Sequence, residues 1–186
     1  MGVLLGFAPF VLFALLGSVS VSLGLWLAFA AAFVITIRDF VESPTLRLLD
    51  AGSVAVFGLL ALFTGFVEPA ISLQAVRLLV EIAFFLLCAA SLLMRRPASL
   101  QYGHEHVPEE IWDTPAFRRA NYALTAAWTL ALAVMALADF AATFNSRVSL
   151  PLDLAIGLAA LGLVIAFTVR YPARLQNKTG HIIGQH

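Results

Sequence analysis

The chain carries one cysteine, Cys88, in 186 residues, and only 12% of its residues are charged. A single thiol excludes an intramolecular disulfide, and a lone cysteine inside an apolar run behaves as a small hydrophobe. So little charge excludes an ordinary soluble surface, since soluble domains carry about 25% charged residues. The formal net charge is zero and like charges form no block, so the balance points to no nucleic-acid partner. No apolar run holds a histidine pair placed for haem. Neither a Gly-rich phosphate loop nor a nucleophile–base spacing occurs. These absences leave no enzyme class and no cofactor to expect.

What is present is apolar: 61% of the residues are hydrophobic. Runs over residues 2–17, 20–37, 51–66, 71–94, 121–142 and 152–169 predict about six transmembrane helices. About 20 residues cross a ~30 Å hydrocarbon core, so residues 2–17 and 51–66 need flanking residues or local thinning. The first run lacks the basic n-region of a cleaved leader and is expected as a span. Short junctions force antiparallel neighbours. The expected fold is therefore all-α, a compact polytopic bundle over residues 1–175 with a flexible tail over 176–186.

The basic residues give this bundle a direction. Arg38, Arg47, Arg95, Arg96, Arg118, Arg119, Arg170, Arg174 and Lys178 fall on one side of six spans, and only Arg77 and Arg147 on the other. Lys and Arg are retained preferentially in cytoplasmic loops, so both termini are expected in the cytoplasm.

Helix starts are marked by a hydroxyl before a proline at Ser43-Pro44, Thr114-Pro115 and Ser149-Leu150-Pro151. The hydroxyl accepts an orphan backbone N–H, and proline in the first turn loses no bond that would have formed. Residues 42–51 also align with 113–122, placing Arg47 over Arg118 and Asp50 over Asn121. With one such match, two independent caps are the expected explanation rather than a duplication.

The only sizeable loop runs from Arg95 to Arg119. Residues 97–106 read as polar and turn-like. Residues 108–113 read as one or two helical turns, acidic at the start as the helix dipole prefers. Trp112 is the natural anchor at the headgroups, and Ile111 with Trp112 is the candidate contact for a cytoplasmic partner. His104 and His106 are weak metal candidates. A His-x-His pair falls short of the three or four placed ligands of a zinc site, so solvated histidines and no metal are expected.

Three ionisable residues fall inside the runs: Arg77, Glu81 and Asp139. Charge inside a membrane marks a functional site by default. Arg77 and Glu81 are four apart on one helix face and are expected to neutralise each other. The three are also expected to form a polar cluster near the outer interface. On the fifth run Asn121, Thr125, Trp128, Leu132, Met135 and Asp139 share one face. Polar groups on a membrane helix turn toward its neighbours, so Asn121, Thr125 and Trp128 are expected to form a packing face.

The stretch Gln101-Tyr102-Gly103-His104-Glu105-His106-Val107-Pro108 is followed by Trp112-Asp113-Thr114-Pro115-Ala116-Phe117-Arg118-Arg119-Ala120-Asn121 and by Leu124-Thr125-Ala126-Ala127-Trp128. It resembles a family of uncharacterised bacterial inner-membrane proteins, in which Ala-Arg stands where Gly103-His104 stands here. The wider pattern, with the early Pro9-Phe10 and Phe13, resembles intracellular septation protein A. The resemblance implies the bacterial inner membrane and a connection with envelope or division machinery, and it brings no catalytic residues.

Two function classes follow. One is a membrane-embedded interaction or scaffold component of the envelope, partnered by other envelope membrane proteins or by itself. The other is a small transporter or channel using Arg77, Glu81 and Asp139. The lipid bilayer is a partner in either case.

Overall fold

A computed structural model describes residues 6–42, 47–104, 108–144 and 150–183. The side chains of residue 150 and of those after Tyr171 lie outside the description. The described residues form helices α1 (Ala8–Leu16), α2 (Val21–Glu42), α3 (Leu48–Phe66), α4 (Leu73–Leu93), α5 (Ala98–Gly103), α6 (Glu109–Trp112), α7 (Pro115–Phe144) and α8 (Leu150–Ile183). No strand occurs among them. In α2, α3, α4, α7 and the Pro151–Tyr171 part of α8, five helices are long and apolar enough to cross a membrane. The chain is a multi-pass membrane protein.

These segments are helical because lipid leaves a spanning chain no other way to satisfy its backbone. Their starts use local chemistry. Ser72 Oγ accepts the Ala75 N–H at 3.2 Å at the head of α4. Thr114 Oγ1 accepts the Phe117 N–H at 3.4 Å at the head of α7. The other two hydroxyl–proline starts depend on Ser43 and Ser149, which lie outside the described residues.

Consecutive long helices pack as antiparallel neighbours, and α4 packs most extensively on α7. The ends of α2, α4 and Pro151–Tyr171 and the starts of α3 and α7 therefore gather at one end of the bundle. That end holds Arg38, Arg47, Arg95, Arg96, Arg118, Arg119 and Arg170 and is called the arginine-rich end below. The starts of α2, α4 and α8 and the ends of α3 and α7 form the far end. Outward faces of the long helices carry bare aliphatic residues such as Leu59, Leu86, Leu137 and Leu163. An apolar surface this extensive suits lipid and not water.

The first apolar run behaves differently from the other five. Among the described residues it gives α1, nine residues long, roughly 14 Å at 1.5 Å per residue. That is about half the hydrocarbon core. Phe7, Phe10 and Phe13 are buried and enter an aromatic cluster with residues of three other helices. Phe7 stacks on Trp128 with ring centroids 3.7 Å apart, Phe10 meets Phe84 at 5.6 Å and Phe13 meets Phe57 at 5.9 Å. Lipid tails are as apolar as these rings, so contact geometry holds α1 in place rather than escape from solvent. Aromatic pairs of this kind contribute about 0.5–1.5 kcal/mol each beyond area burial.

One other segment departs from the sequence reading. Residues 97–106 hold the helix α5, with Ala98, Ser99 and Tyr102 buried. Tertiary hydrogen bonds override the turn-like composition there. The backbone of α8 continues as helix through Ile183, into the segment from residue 176 expected as the tail. Ala173 through Lys178 contains no helix breaker, and Gly180 costs a helix only about 1 kcal/mol.

Glu68 and Glu109 are both exposed, at the far and arginine-rich ends respectively. Single cysteines at these positions, in a Cys88→Ala background, should react with a membrane-impermeant maleimide from opposite sides of the membrane. Labelling of both from one side would refute the alternation of the five long helices.

Candidate functional site

At the far end, the first turns of α4 and α8 and the last turns of α7 bring four charged side chains together. Arg77 Nη1 donates to Asp153 Oδ2 at 3.1 Å. Arg77 Nη2 lies 3.1 Å from Asp139 Oδ1. Neither oxygen of Asp139 receives a hydrogen bond, so that second contact is a charge pair without hydrogen-bond alignment. Glu81 lies one turn beyond Arg77 on α4 and makes no ion pair with it among the described residues. Its Oε2, with Asp153 Oδ1, is buried without a donor. The Arg77–Glu81 pairing expected from four-residue spacing is thus replaced by Arg77–Asp139 and Arg77–Asp153. The guanidinium reaches across to two neighbouring helices, and Gly157 on α8 leaves room for it: a Cβ there would stand 3.2 Å from Arg77 Nη2.

Asp139 and Asp153 are 0% exposed, and Arg77 and Glu81 are nearly so. A cavity of about 30 Å³ adjoins them, lined by Phe10, Phe13 and Ala14 of α1, Arg77 and Glu81 of α4, and Gly157 of α8 among others. It has room for roughly one or two waters. Among the described residues no three His, Cys, Asp or Glu side chains are placed to hold a metal ion. The arithmetic of the cluster matters more. One guanidinium faces three carboxyl groups, so full ionisation would leave an excess of two negative charges in a buried site. Uncompensated buried charge costs several kcal/mol per ion. Neutrality here requires two further positive charges, as protons or as small cations.

The arginine-rich end carries a second ionic cluster. Arg47 Nη1 pairs with Asp39 Oδ2 and lies 3.6 Å from Asp50 Oδ2. Arg38 Nη2 donates to Asp39 Oδ1 at 2.7 Å. The Arg47 guanidinium also sits over the Tyr102 ring, 4.9 Å from its centroid. Tyr102 Oη donates to Asp50 Oδ1 at 2.7 Å. Burial, and then the adjacent Asp50, hold the Tyr102 phenol well above its usual range, so it stays protonated and can donate. Arg38 also lies 4.0 Å from Glu42 Oε1, and the loop helix α5 closes the set.

The polar face of α7 anchors α5. Ser99 Oγ donates to the Asn121 carbonyl at 2.7 Å, and Thr125 Oγ1 donates to Ser99 Oγ at 2.9 Å. Trp128 Nε1 donates to Thr168 Oγ1 of α8 at 3.1 Å. Asn121, Thr125, Trp128, Leu132, Met135 and Asp139 are all buried. The two aligned ten-residue segments do unlike work, because Arg47 is buried in its cluster whereas Arg118 is exposed.

The remaining candidates are scattered. Ile111 is exposed and Trp112 half-buried on α6, where the Trp112 ring stacks on His104 with centroids 4.3 Å apart. His106 lies outside the described residues. Sequence reasoning overlooked Asp153, whose position in the first turn of α8 reads as an ordinary dipole-favoured acid. It also overlooked the joining of Asp39, Arg47, Asp50 and Tyr102, of which only the helix-start pattern around Arg47 and Asp50 gave any hint. The sequence matches no family model, no curated protein and no solved structure.

Two outcomes test this geometry. Arg77→Met should strongly lower thermal stability in detergent, by about 3–5 kcal/mol, because it strands buried carboxylates. Adding Asp139→Asn and Asp153→Asn to Arg77→Met should recover part of that loss, whereas simply additive losses would mean that the three side chains do not interact. At the other end, Tyr102→Phe should cost about 1–3 kcal/mol by removing the phenol's hydrogen bond to the charged Asp50. An unchanged melting temperature would exclude that hydrogen bond from the stability of the bundle.

Proposed function

We propose that the chain is a small proton-linked transport protein of the bacterial inner membrane. Arg77, Glu81, Asp139 and Asp153 form its ion-handling site. The observation that carries this reading is the charge imbalance: three buried carboxyl groups stand beside a cavity with one guanidinium, which pairs with two of them, and four of their oxygens meet no N–H or hydroxyl donor among the described residues. Intramembrane carboxyl groups of this kind serve as relays in pumps and transporters. Protons are the favoured positive charges, because the cavity is small and no metal-holding group accompanies it among the described residues.

In this reading the arginine-rich end faces the cytoplasm, following the positive-inside bias, and the proton site opens toward the periplasm. The first apolar run serves as a sixth crossing element that fills the bundle, with both termini in the cytoplasm. A second reading, an envelope or division-associated scaffold, is favoured by one specific observation. Ile111 stands exposed on α6 beside Trp112, an apolar contact point at the cytoplasmic end. It accords with the resemblance to intracellular septation protein A.

Reconstitution on a solid-supported membrane separates the two readings, because a pH jump there registers proton binding as well as steady flux. Wild-type proteoliposomes should give a displacement or sustained current that Glu81→Gln with Asp139→Asn removes. Currents equal to those of protein-free liposomes would reject the transport reading. Retention of a co-purifying partner that is lost on Ile111→Ala and Trp112→Ala would then favour the scaffold.

A further inference from the structure

A second concave feature lies at the opposite end from the proton site. Asp113, Pro115, Arg118, Arg119 and Tyr122 line an open groove of about 430 Å³ at the start of α7. It carries charges of both signs. Arg118 and Arg119 are exposed, as is Asp113, and none of the three forms an ion pair among the described residues. Opposite charges therefore line one groove without closing on each other.

The depth of this groove is set by the length of α7. The helix has 30 residues, whereas about 20 suffice to cross the hydrocarbon core. Counted back from Phe144, the core boundary falls near Leu124. Arg118 and Arg119 then lie roughly 8 Å beyond it at 1.5 Å per residue, within the headgroup layer. Tyr122 sits between, the usual position of an interfacial aromatic residue.

We propose that this groove binds the headgroup of a zwitterionic phospholipid bearing a primary amine, phosphatidylethanolamine. The phosphate lies against the guanidinium groups of Arg118 and Arg119, which match its oxygens in a planar fork. The ammonium donates to Asp113. A purely anionic headgroup leaves Asp113 facing negative charge. A quaternary amine offers Asp113 no N–H donor. The groove thus selects by hydrogen-bonding chemistry as well as by charge, and it does so independently of the far-end carboxyl cluster.

The full chain in detergent micelles, titrated with dioleoyl phosphatidylethanolamine, phosphatidylglycerol and phosphatidylcholine, tests the assignment by native mass spectrometry. Occupancy by phosphatidylethanolamine should exceed that of the other two by about fivefold, the scale of one partly exposed ion pair. Asp113→Asn should erase this preference while leaving total phospholipid binding in place. Arg118→Gln with Arg119→Gln should lower binding of all three lipids. All three side chains are exposed, so folding should survive these changes, and thermal unfolding of each variant checks it. If a variant fails to fold, the wild-type competition among the three lipids decides alone. Equal or greater occupancy by phosphatidylglycerol, or an Asp113→Asn variant that keeps the preference, would overturn the proposal. So would an equal stabilisation by soluble phosphoethanolamine, which would assign the groove to a free phosphate ester.

Discussion

Burying charge where no water can screen it is the constraint on which this bundle turns. A charged group inside a membrane must find a partner within the protein or reach the interface. The chain places such groups toward the helix ends, and it draws key partners from neighbouring helices. Arg77 is the clearest case. Its i+4 neighbour is an acid on the same helix, yet the guanidinium extends to Asp139 of α7 and Asp153 of α8. An intrahelical pair would satisfy charge locally and bind nothing together. The pairing observed ties three helices at the far end, and Asp39, Arg47 and Asp50 tie α2 to α3 at the other.

Between these two ionic ends the contacts are steric. Apolar helices gain nothing by leaving lipid for one another, so close fit and hydrogen bonds must hold them. The rings of Phe7, Phe10, Phe13, Phe57, Phe84 and Trp128 supply the fit. Ser91, Ser99, Thr125 and the Asn121 carbonyl supply the hydrogen bonds that fold α5 back over the bundle. Ser91 accepts the first N–H of α5 while donating to the Cys88 carbonyl. The loop after α4 thus begins its return with its backbone already satisfied.

The long helices and their alternation were legible because length and hydropathy report directly on them. The buried face of α7 was legible for a related reason: Asn121, Thr125, Trp128 and Asp139 recur at helical spacing in an apolar background. Other features depended on tertiary contacts that no local pattern records. Asp153 stands in a first helical turn, where an acid is common, so its position carried no warning. Tyr102 lies in a polar stretch that reads as a turn, and its hydrogen bond to Asp50 joins residues far apart in sequence. The four-residue spacing of Arg77 and Glu81 was misleading, since spacing fixes which side chains share a face and not which of several acids a long arginine will reach. The first apolar run was legible in composition but not in role, because hydropathy alone does not distinguish a helix facing lipid from one set among other helices.

That role is the last step in understanding the bundle. Among the described residues, the segment around α1 touches both ionic ends. Gly6 approaches Tyr102 so closely that a Cβ there would stand 2.5 Å from the ring. Further along the chain, Phe10, Phe13 and Ala14 of α1 wall the cavity beside Arg77 and Glu81. Stacking of Phe7 on Trp128 fixes the position of α1 along the bundle. Packed interiors resist gradual deformation, so a shift of α1 along its axis toward Tyr102 meets a steric stop, and a shift the other way opens the contact of Phe7 with Trp128. The size of the far-end cavity is therefore set partly by a glycine–tyrosine contact at the arginine-rich end. The arginine-rich cluster holds Tyr102 through Asp50 and Arg47, Tyr102 limits α1, and α1 limits the space beside the far-end carboxyl groups.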